Sequence, residues 1–293
     1  MTEVTLMDGG MGQLLQHRSK LPASNMWSAK SMLEEPELVQ DLHAEYIAAG
    51  AQTITINAYA ATPERLEERG FGDQFIPLQQ AAIKAAKQAV AASGRDVKIT
   101  GCLPPLFNSY NPDLNKDEAF ARDVYKRVVK AQAEVDIHLA ETLGSLLEVR
   151  AVLAAFEGED KPCWISVTLD DRADPPALRS GEPLSEAIAL AKAAGVDAFL
   201  VNCSMPEVLS KAMPLLKASG LRFGAYANGF HSVIPLTNDN VVIDTLTARE
   251  DLGPQAYADF VEGWIAEGAT IVGGCCETGP EHIAELSRRL HPG

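Results

Sequence analysis

The chain has 293 residues, of which 46% are hydrophobic, so it is long enough to bury the core of one large domain or of two ordinary ones. Its formal net charge is −15, with acidic residues spread along the whole length. This charge argues against nucleic acid and anionic membranes as partners, because phosphate groups are bound by clustered Lys and Arg.

The N-terminal residues and the cysteines indicate the cellular compartment. The segment 1–4 has no basic region followed by an apolar stretch, as a secretory signal would. No apolar run approaches the ~18 residues needed to span a bilayer. The five cysteines are an odd number and include an adjacent pair, which argues against a disulfide framework. We therefore expect a cytoplasmic protein whose thiols are available to a metal.

Short β-rich apolar runs alternate with longer amphipathic segments along the chain. The predicted strands are, in order, 4–7, 52–57, 97–102, 136–140, 163–168, 198–202, 222–226 and 270–273. The predicted helices are 36–49, 74–92, 117–134, 144–156, 184–194, 206–218, 254–267 and 280–290. Several of these helices begin with proline and end before a glycine, as at Pro36 and Gly50.

Eight strands that alternate with helices predict a parallel sheet, and a chain of this length most economically closes it into a (β/α)8 barrel. We therefore predict an α/β protein with a TIM-type barrel and a single domain over residues 1–293. An open doubly wound sheet is the alternative, but the turn 8–12 lacks the spacing of a dinucleotide-binding turn. Three long connections, 18–35, 104–116 and 228–253, should lie on the C-terminal face, where barrel active sites are built.

Three of the five cysteines directly follow two of the predicted strands. Cys203 follows the sixth strand, and Cys275 and Cys276 follow the eighth. In a barrel these two places lie on the same rim, so the three thiols can converge. Three protein ligands with one open position are typical of a catalytic zinc site, and thiolates favour zinc over magnesium or calcium. We therefore predict a Zn²⁺ site, and interpret Cys102 and Cys163 as packing residues.

These motifs resemble those of the homocysteine S-methyltransferase family, which includes betaine–homocysteine and S-methylmethionine–homocysteine methyltransferases. The resemblance lies in segments 8–12, 50–59, 141–142, 201–204 and 273–283, so it covers essentially the whole chain. It implies that the three cysteines bind Zn²⁺ and that the homocysteine thiol takes the fourth position. Zinc removes the proton from a thiol, whose pKa is ordinarily about 8.5, and leaves its sulfur nucleophilic toward an onium methyl group.

The resemblance also implies substrate-binding residues near the ends of the first and fourth strands. The family uses acids at the places of Asp8 and Glu141 to hold the ammonium group of the substrate. Each acid could instead cap the helix that follows it. The backbone N–H groups of Gly9 and Gly10 are candidates to bind the substrate carboxylate.

Other rim residues are also candidates for the site. Asn57 and Tyr59 end the second strand, and Tyr59 matches a tyrosine that approaches the metal in some relatives, with packing as its alternative role. Asn202 precedes a zinc cysteine and is expected to orient it. The segment 226–229 reads YANG where the family commonly has YPN, so the sequence departs from the family here and the shape of this loop stays open. His282 is expected to cap or pack the last helix.

The methyl donor is the least defined part of the predicted reaction. Onium groups are commonly held by aromatic faces and carboxylates, and the long rim connections supply Trp27, Phe107, Tyr110 and Phe230. A small sulfonium, S-methylmethionine or S-adenosylmethionine, is the first expectation, and a betaine-type quaternary amine is the second. Selenocysteine or another small thiol is the alternative acceptor, and homo-oligomerisation stays open.

Two other functional classes stay open on the sequence. A zinc-dependent lyase or aldolase would use the metal as a Lewis acid on a carbonyl, but such sites usually have harder ligands. The six histidines do not cluster with the cysteines along the sequence. The other class is a non-catalytic zinc- or thiol-binding partner of a multienzyme methyl-transfer system.

Overall fold

The computed structural model describes residues 3–21, 26, 28–114, 117–237 and 246–291, and the structural statements below refer to these residues. Its strands are β1 Thr5–Leu6, β2 Thr53–Thr55, β3 Lys98–Thr100, β4 His138–Leu143, β5 Cys163–Val167, β6 Ala198–Asn202, β7 Phe223–Tyr226 and β8 Ile271–Val272. The helices are α1 Gly12–Arg18, α2 Ala29–Glu34, α3 Pro36–Ala49, α4 Pro63–Glu68, α5 Phe75–Ser93, α6 Glu118–Ala131, α7 Leu146–Ala155, α8 Leu184–Ala194, α9 Pro206–Ser219, α10 Pro254–Ala266 and α11 Pro280–Leu290. Each of the eight predicted strands and eight predicted helices is present.

The eight strands form one closed parallel barrel. Six of them pair in the order β1-β8-β7-β6-β5-β4, and β2 pairs with β3. A parallel bridge between Met7 and Thr53 joins β1 to β2, and another between Thr100 and Ile137 joins β3 to β4. This closure confirms the predicted (β/α)8 barrel and excludes the open sheet, which would keep two unpaired edges.

Two apolar cores stabilise the barrel. The smaller one comes mainly from the strands and consists of Met7, Ile137, Leu139, Trp164, Ala198, Leu200, Tyr226 and Ile271. The larger one lies between the strands and the surrounding helices, and it includes the fully buried Leu42 of α3 and Ala86 of α5. Burial of a side chain such as Leu42 contributes roughly 1.5–3 kcal/mol. A barrel filled in this way is not a pore, so a substrate site has to be built at the rim.

Three helices, α1, α2 and α4, are short; no helix was assigned from the sequence for α2 and α4, and α1 lies where a helix after Asp8 was considered only as the alternative role of that acid. Each has six or seven residues, which is too short for apolar periodicity to separate a helix from a loop. Helix α4 begins at Pro63, and the preceding Thr62 accepts the Arg65 N–H through its hydroxyl at 3.3 Å. Within the described residues, no helix is long and apolar enough to cross a membrane.

Candidate active site

Three thiols converge at the C-terminal rim of the barrel. The Sγ atoms of Cys275 and Cys203 lie 2.8 Å apart, and those of Cys203 and Cys276 lie 4.0 Å apart. All three sulfur atoms lie within 4.8 Å of one another. Hydrogen bonds from the two neighbouring thiols hold the pKa of Cys203 well below its ordinary value. This all-sulfur donor set fits a soft cation such as zinc, which prefers few ligands in tetrahedral geometry.

Backbone strain is concentrated at this rim. The non-glycine residues with positive φ in the described chain are Thr142 at 62°, Cys203 at 49° and Glu277 at 61°. Such conformations cost of order 1–3 kcal/mol each and persist where the surroundings enforce them. The Cys203 N–H donates to the Tyr226 carbonyl at 3.1 Å, and the Thr168 hydroxyl donates to the Cys203 carbonyl at 3.2 Å. The neighbouring strands β5 and β7 therefore hold the cysteine in its strained position.

Glycines allow the ends of β1 and β8 to approach closely. A Cβ atom at Gly9 would lie 2.2 Å from the Thr278 carbonyl oxygen, and one at Gly274 would lie 2.0 Å from the Thr278 hydroxyl. The Gly10 N–H donates to the Thr278 carbonyl at 2.9 Å. This N–H group is thus already paired, which corrects the expectation that it receives a substrate carboxylate. The close approach places the turn that carries Asp8 against the turn that carries the paired cysteines.

Two buried carboxyl groups lie in the same cavity as the thiols. Asp8 accepts the Thr55 N–H at 2.8 Å and the Thr55 hydroxyl at 3.2 Å. Glu141 accepts the Cys102 thiol at 3.0 Å and the Tyr226 hydroxyl at 3.3 Å. Burial raises the pKa of Asp8 to about 8 and that of Glu141 to about 7. Acids with such raised pKa values are suited to bind a cation, because a cation restores the ionised form.

One cavity of about 130 Å³ joins these groups. The predicted site residues that line it are Asp8, Gly9, Gly10, Asn57, Tyr59, Glu141, Cys203, Cys275 and Cys276. Residues that lie far apart in the sequence therefore meet at one place, at the C-terminal ends of β1, β2, β4, β6 and β8.

Comparison with known proteins identifies the family. The model of the homocysteine S-methyltransferase family matches residues 5–290. The chain belongs to this family. It is 29% identical over 308 residues to the homocysteine S-methyltransferase of Escherichia coli strain K12, covering 98% of this chain and 95% of that protein. It is 26% identical to the selenocysteine Se-methyltransferase of Brassica oleracea var. italica, covering 97% of this chain and 88% of that protein.

A solved structure supports the same assignment. The crystal structure of the homocysteine methyltransferase MmuM from Escherichia coli in its metallated form matches with a TM-score of 0.81 and 27% identity. The match covers 98% of this chain and 96% of that one. The chain is therefore a methyltransferase of this family with the same barrel fold.

In this methyltransferase, Asn57 and Tyr59 line the cavity, but their polar groups bind the surrounding loops. The Asn57 side-chain N–H donates to the Ser28 carbonyl at 3.1 Å, and the Ser28 hydroxyl donates to Asn57 Oδ1 at 3.2 Å. The Tyr59 hydroxyl donates to Ser109 Oγ at 2.7 Å, while the Arg65 guanidinium lies 5.2 Å from the Tyr59 ring centroid. Both residues therefore position the rim connections around the cavity.

Tyr110 places its hydroxyl against the cysteine centre. Its Oη atom lies 3.1 Å from Cys203 Sγ, and burial raises the pKa of this phenol well above its ordinary value. The guanidinium of Arg179 lies 5.0 Å from the Tyr110 ring centroid, with a side chain that is 4% exposed. Arg179 in turn donates to Thr168 Oγ1 at 3.0 Å and pairs with Asp171 at 3.4 Å. The buried Arg179 side chain thus links the segment 104–114, through the Tyr110 ring, to the residues that hold the strained Cys203 turn.

The other aromatic candidates lie differently. Phe107 packs against the larger apolar core, and Phe230 is fully buried in a cluster with Tyr110 and Cys203. Trp27 lies outside the described residues. Of the described aromatic candidates for the donor, Tyr110 is the one that lines the cavity.

Two polar residues beside the site, Asn202 and His282, hold its surrounding segments in place. Asn202 accepts the Thr142 N–H at 3.0 Å and the Ser166 hydroxyl at 2.8 Å, so it orients the Glu141 segment of β4 as well as preceding Cys203. The expectation for His282 is confirmed, because its Nδ1 atom accepts the Gly279 N–H at 3.2 Å at the start of α11.

The YANG loop is fixed by a hydrogen bond that proline could not make. The Ala227 N–H donates to the Tyr257 hydroxyl at 3.0 Å, and this hydroxyl donates to the Gly273 carbonyl at 2.7 Å. The loop therefore ties the end of β7 to the turn that begins the paired cysteines.

Two residues beside the cavity gave no signal of their contacts in the sequence. Cys102 packs in the larger apolar core, as expected, and its thiol also lines the cavity and donates to Glu141. Arg179 lies in the connection between β5 and α8, which was not among the expected rim connections. A buried thiol gives no sequence signal for the partner it contacts. A single arginine in a polar loop likewise gives no signal of its burial.

Proposed function

We propose that this methyltransferase transfers a methyl group from a small sulfonium donor to the thiol of homocysteine, with Zn²⁺ held by Cys203, Cys275 and Cys276. In this proposal, residues 1–293 form one homocysteine-binding domain. The observation that carries the proposal is the convergence of three thiols and two buried carboxyl groups in one cavity. A molecule with a sulfur at one end and an ammonium at the other fits that arrangement.

The three thiol side chains are the residues that would hold the metal. When bound, zinc lowers the pKa of an acceptor thiol and fixes its sulfur in place. The chain contributes a strained Cys203 backbone and a cysteine pair seated against the Asp8 turn, so the three sulfur positions are set by the fold. Pre-set ligand positions reduce the ordering that substrate binding has to impose.

The two carboxyl groups recognise the amino group of the acceptor. Both are buried, and burial disfavours their ionised form in the absence of a partner. An α-ammonium group that enters the cavity compensates this cost at Asp8 and Glu141 together. The Tyr226 hydroxyl and the Cys102 thiol orient the Glu141 carboxylate, since they donate to its two oxygen atoms.

In the transfer, a lone pair of the acceptor sulfur forms a bond to the methyl carbon while the donor S–CH₃ bond breaks. The electron pair of the broken bond stays on the donor sulfur, which becomes a neutral thioether. The acceptor binds as its thiolate and releases the thiol proton to solvent on binding, so no proton moves in the transfer itself. Catalysis by the chain then consists mainly of holding the two sulfur atoms and the methyl carbon in line.

A donor and acceptor panel tests the proposal. Zinc-loaded protein is incubated with homocysteine and S-methylmethionine, S-adenosylmethionine or glycine betaine, and methionine is measured. We expect methionine from a sulfonium donor and much less from betaine. Selenocysteine replaces homocysteine in a parallel arm, because a selenocysteine Se-methyltransferase is among the similar proteins. If no donor yields a methylated product while zinc is bound, the chain is a non-catalytic thiol-binding protein and the proposal fails.

A further inference from the structure

Gln13 lines the cavity, but the proposed acceptor chemistry does not use it. It is the second residue of α1, just beyond the turn that carries Asp8, and it is 8% exposed. Its Nε2 atom donates to Glu277 Oε1 at 2.7 Å. The planar amide then directs Oε1 away from Glu277, and this buried oxygen has no hydrogen-bond partner among the described residues.

A buried hydrogen-bond acceptor without a partner, such as Gln13 Oε1, requires an explanation. The great majority of buried polar side-chain atoms in folded proteins have a partner, and leaving one unpaired costs about 1–3 kcal/mol. Glu277 carries a second cost, because it has a φ of 61° without being glycine. The two unfavourable features are in contact with each other, and Gln13 lies in the cavity wall, which indicates a ligand that compensates them.

The pair also differs in its surroundings from the two acids of the acceptor site. Asp8 is held from β2 through Thr55, and Glu141 is held by Cys102 and Tyr226. The Gln13 side chain instead pairs with a residue that follows β8. Its amide N–H is occupied by the Glu277 carboxylate, so Gln13 has only its oxygen left to accept a hydrogen bond at the cavity wall, with the negative charge of Glu277 in contact behind it.

We propose that Gln13 and Glu277 form the subsite that binds the α-ammonium group of the methyl donor, which deepens the proposed function on which it rests. The Gln13 Oε1 atom accepts an N–H of that ammonium, and Glu277 supplies the neutralising charge. S-methylmethionine and S-adenosylmethionine carry such an ammonium, whereas a quaternary amine has no N–H to donate. The subsite therefore selects an amino-acid sulfonium over a betaine-type donor.

The test removes the hydrogen-bond acceptor of Gln13 from the protein, and separately the ammonium group from the methyl donor. Gln13→Met keeps the length of the side chain without an acceptor, and Glu277→Gln keeps its shape without the charge. The donors are S-methylmethionine and its desamino analogue, which is the same sulfonium without the amino group. We expect each substitution to raise the KM for S-methylmethionine by roughly tenfold to a hundredfold, as for a lost hydrogen bond to a charged group. The KM for the desamino analogue and that for homocysteine should change by less than about threefold.

Gln74→Met is the matched control. Gln74 Nε2 also donates to a carboxylate, Asp73 Oδ2, at 2.9 Å, but this pair is exposed and does not line the cavity. We expect wild-type values of both donor constants for this variant. Equal effects of Gln13→Met on the two donors would overturn the proposal, as would a rise confined to the KM for homocysteine, which would assign the subsite to the acceptor.

Calorimetric binding separates the two proposals. Both donors are titrated into zinc-loaded wild-type protein and into the Gln13→Met variant, without turnover. If S-methylmethionine binds more tightly than its desamino analogue only when Gln13 is present, the subsite stands even if no methionine is formed and the proposed function fails. If the two donors bind the wild-type protein equally, the subsite fails even if methyl transfer is observed.

Discussion

The acceptor side and the donor side of the cavity are built from different parts of the chain. Cys203, Cys275 and Asp8 directly follow or lie close to the ends of strands, and Glu141 lies within β4. On the donor side, Tyr110 belongs to an irregular connection. The barrel fixes strand ends relative to one another, so chemistry placed there is insensitive to changes in the loops. We infer that acceptor binding is carried by the barrel itself and donor selectivity by the segments between its elements.

The largest expected effect comes from removal of a thiol of the acceptor side. Cys203→Ala should lose most of the bound zinc and reduce methyl transfer more than about a hundredfold, because changes to partners of metal ligands alone cost 10–100-fold. Metal content is measured by elemental analysis of the purified variant. Cys163→Ala is the control, since Cys163 is buried at the opposite end of the barrel, at the start of β5. Full zinc occupancy in Cys203→Ala would disprove the ligand assignment.

A large effect on one substrate is expected at Glu141. Glu141→Gln removes the charge that we propose faces the acceptor ammonium, so the KM for homocysteine should rise roughly thirtyfold or more, as for a broken buried charge pair. Zinc content and the KM for the donor should stay close to wild type. Glu159→Gln is the control, because the Glu159 carboxylate lies 3.4 Å from His138 Nε2, at the opposite, N-terminal end of β4. An unchanged KM for homocysteine would leave Glu141 a structural role alone.

The raised pKa of Glu141 predicts a pH dependence of stability. Burial raises it from 4.5 to about 7, so between these values the native state keeps a proton that the unfolded chain releases. The free energy of unfolding therefore falls as pH rises from about 5 to about 8, by roughly 3 kcal/mol from this group, at 1.36 kcal/mol per pKa unit. Urea unfolding of substrate-free protein measures this slope. Glu141→Gln should make the slope smaller and leave the contribution of Asp8, whose pKa burial raises to about 8, so parallel profiles for the two proteins would contradict the assignment.

The smallest expected effect concerns the hydroxyl of Tyr110. Tyr110→Phe removes the contact with Cys203 Sγ but keeps the ring beside Arg179, so turnover should fall only about threefold to tenfold. Tyr125→Phe is the control, because the buried Tyr125 hydroxyl donates to the Pro104 carbonyl in the same connection, at 3.2 Å. If Tyr125→Phe lowers turnover as much as Tyr110→Phe does, the effect comes from the connection and not from the cysteine centre.

The sequence was sufficient to predict the barrel and the place of the cysteines, because strand patterns and strand ends are local features. The extent of β4 was not predictable in this way. The strand continues to Leu143 with a register shift after Ala140, so Glu141 lies inside it instead of just beyond it. That irregularity depends on Thr142, whose φ of 62° is enforced by Asn202 from β6.

The donor side was less predictable for the same reason. Whether Tyr110, Phe107 or Phe230 lines the cavity depends on how the connections fold. All three are aromatic residues in long connections, so the sequence alone does not distinguish them. Gln13 carried no signal at all, since its unpaired oxygen is visible only once its partner Glu277 is known. Contacts between residues more than 200 positions apart cannot be read from local pattern.

X-ray absorption at the zinc edge tests the central claim most directly. The claim is that Cys203, Cys275 and Cys276 hold zinc and that the acceptor occupies the remaining position. Substrate-free protein should show three sulfur ligands at about 2.3 Å and one lighter atom. Added homocysteine should provide a fourth sulfur, and added selenohomocysteine should provide a selenium ligand. A spectrum that does not change with saturating acceptor would contradict the account.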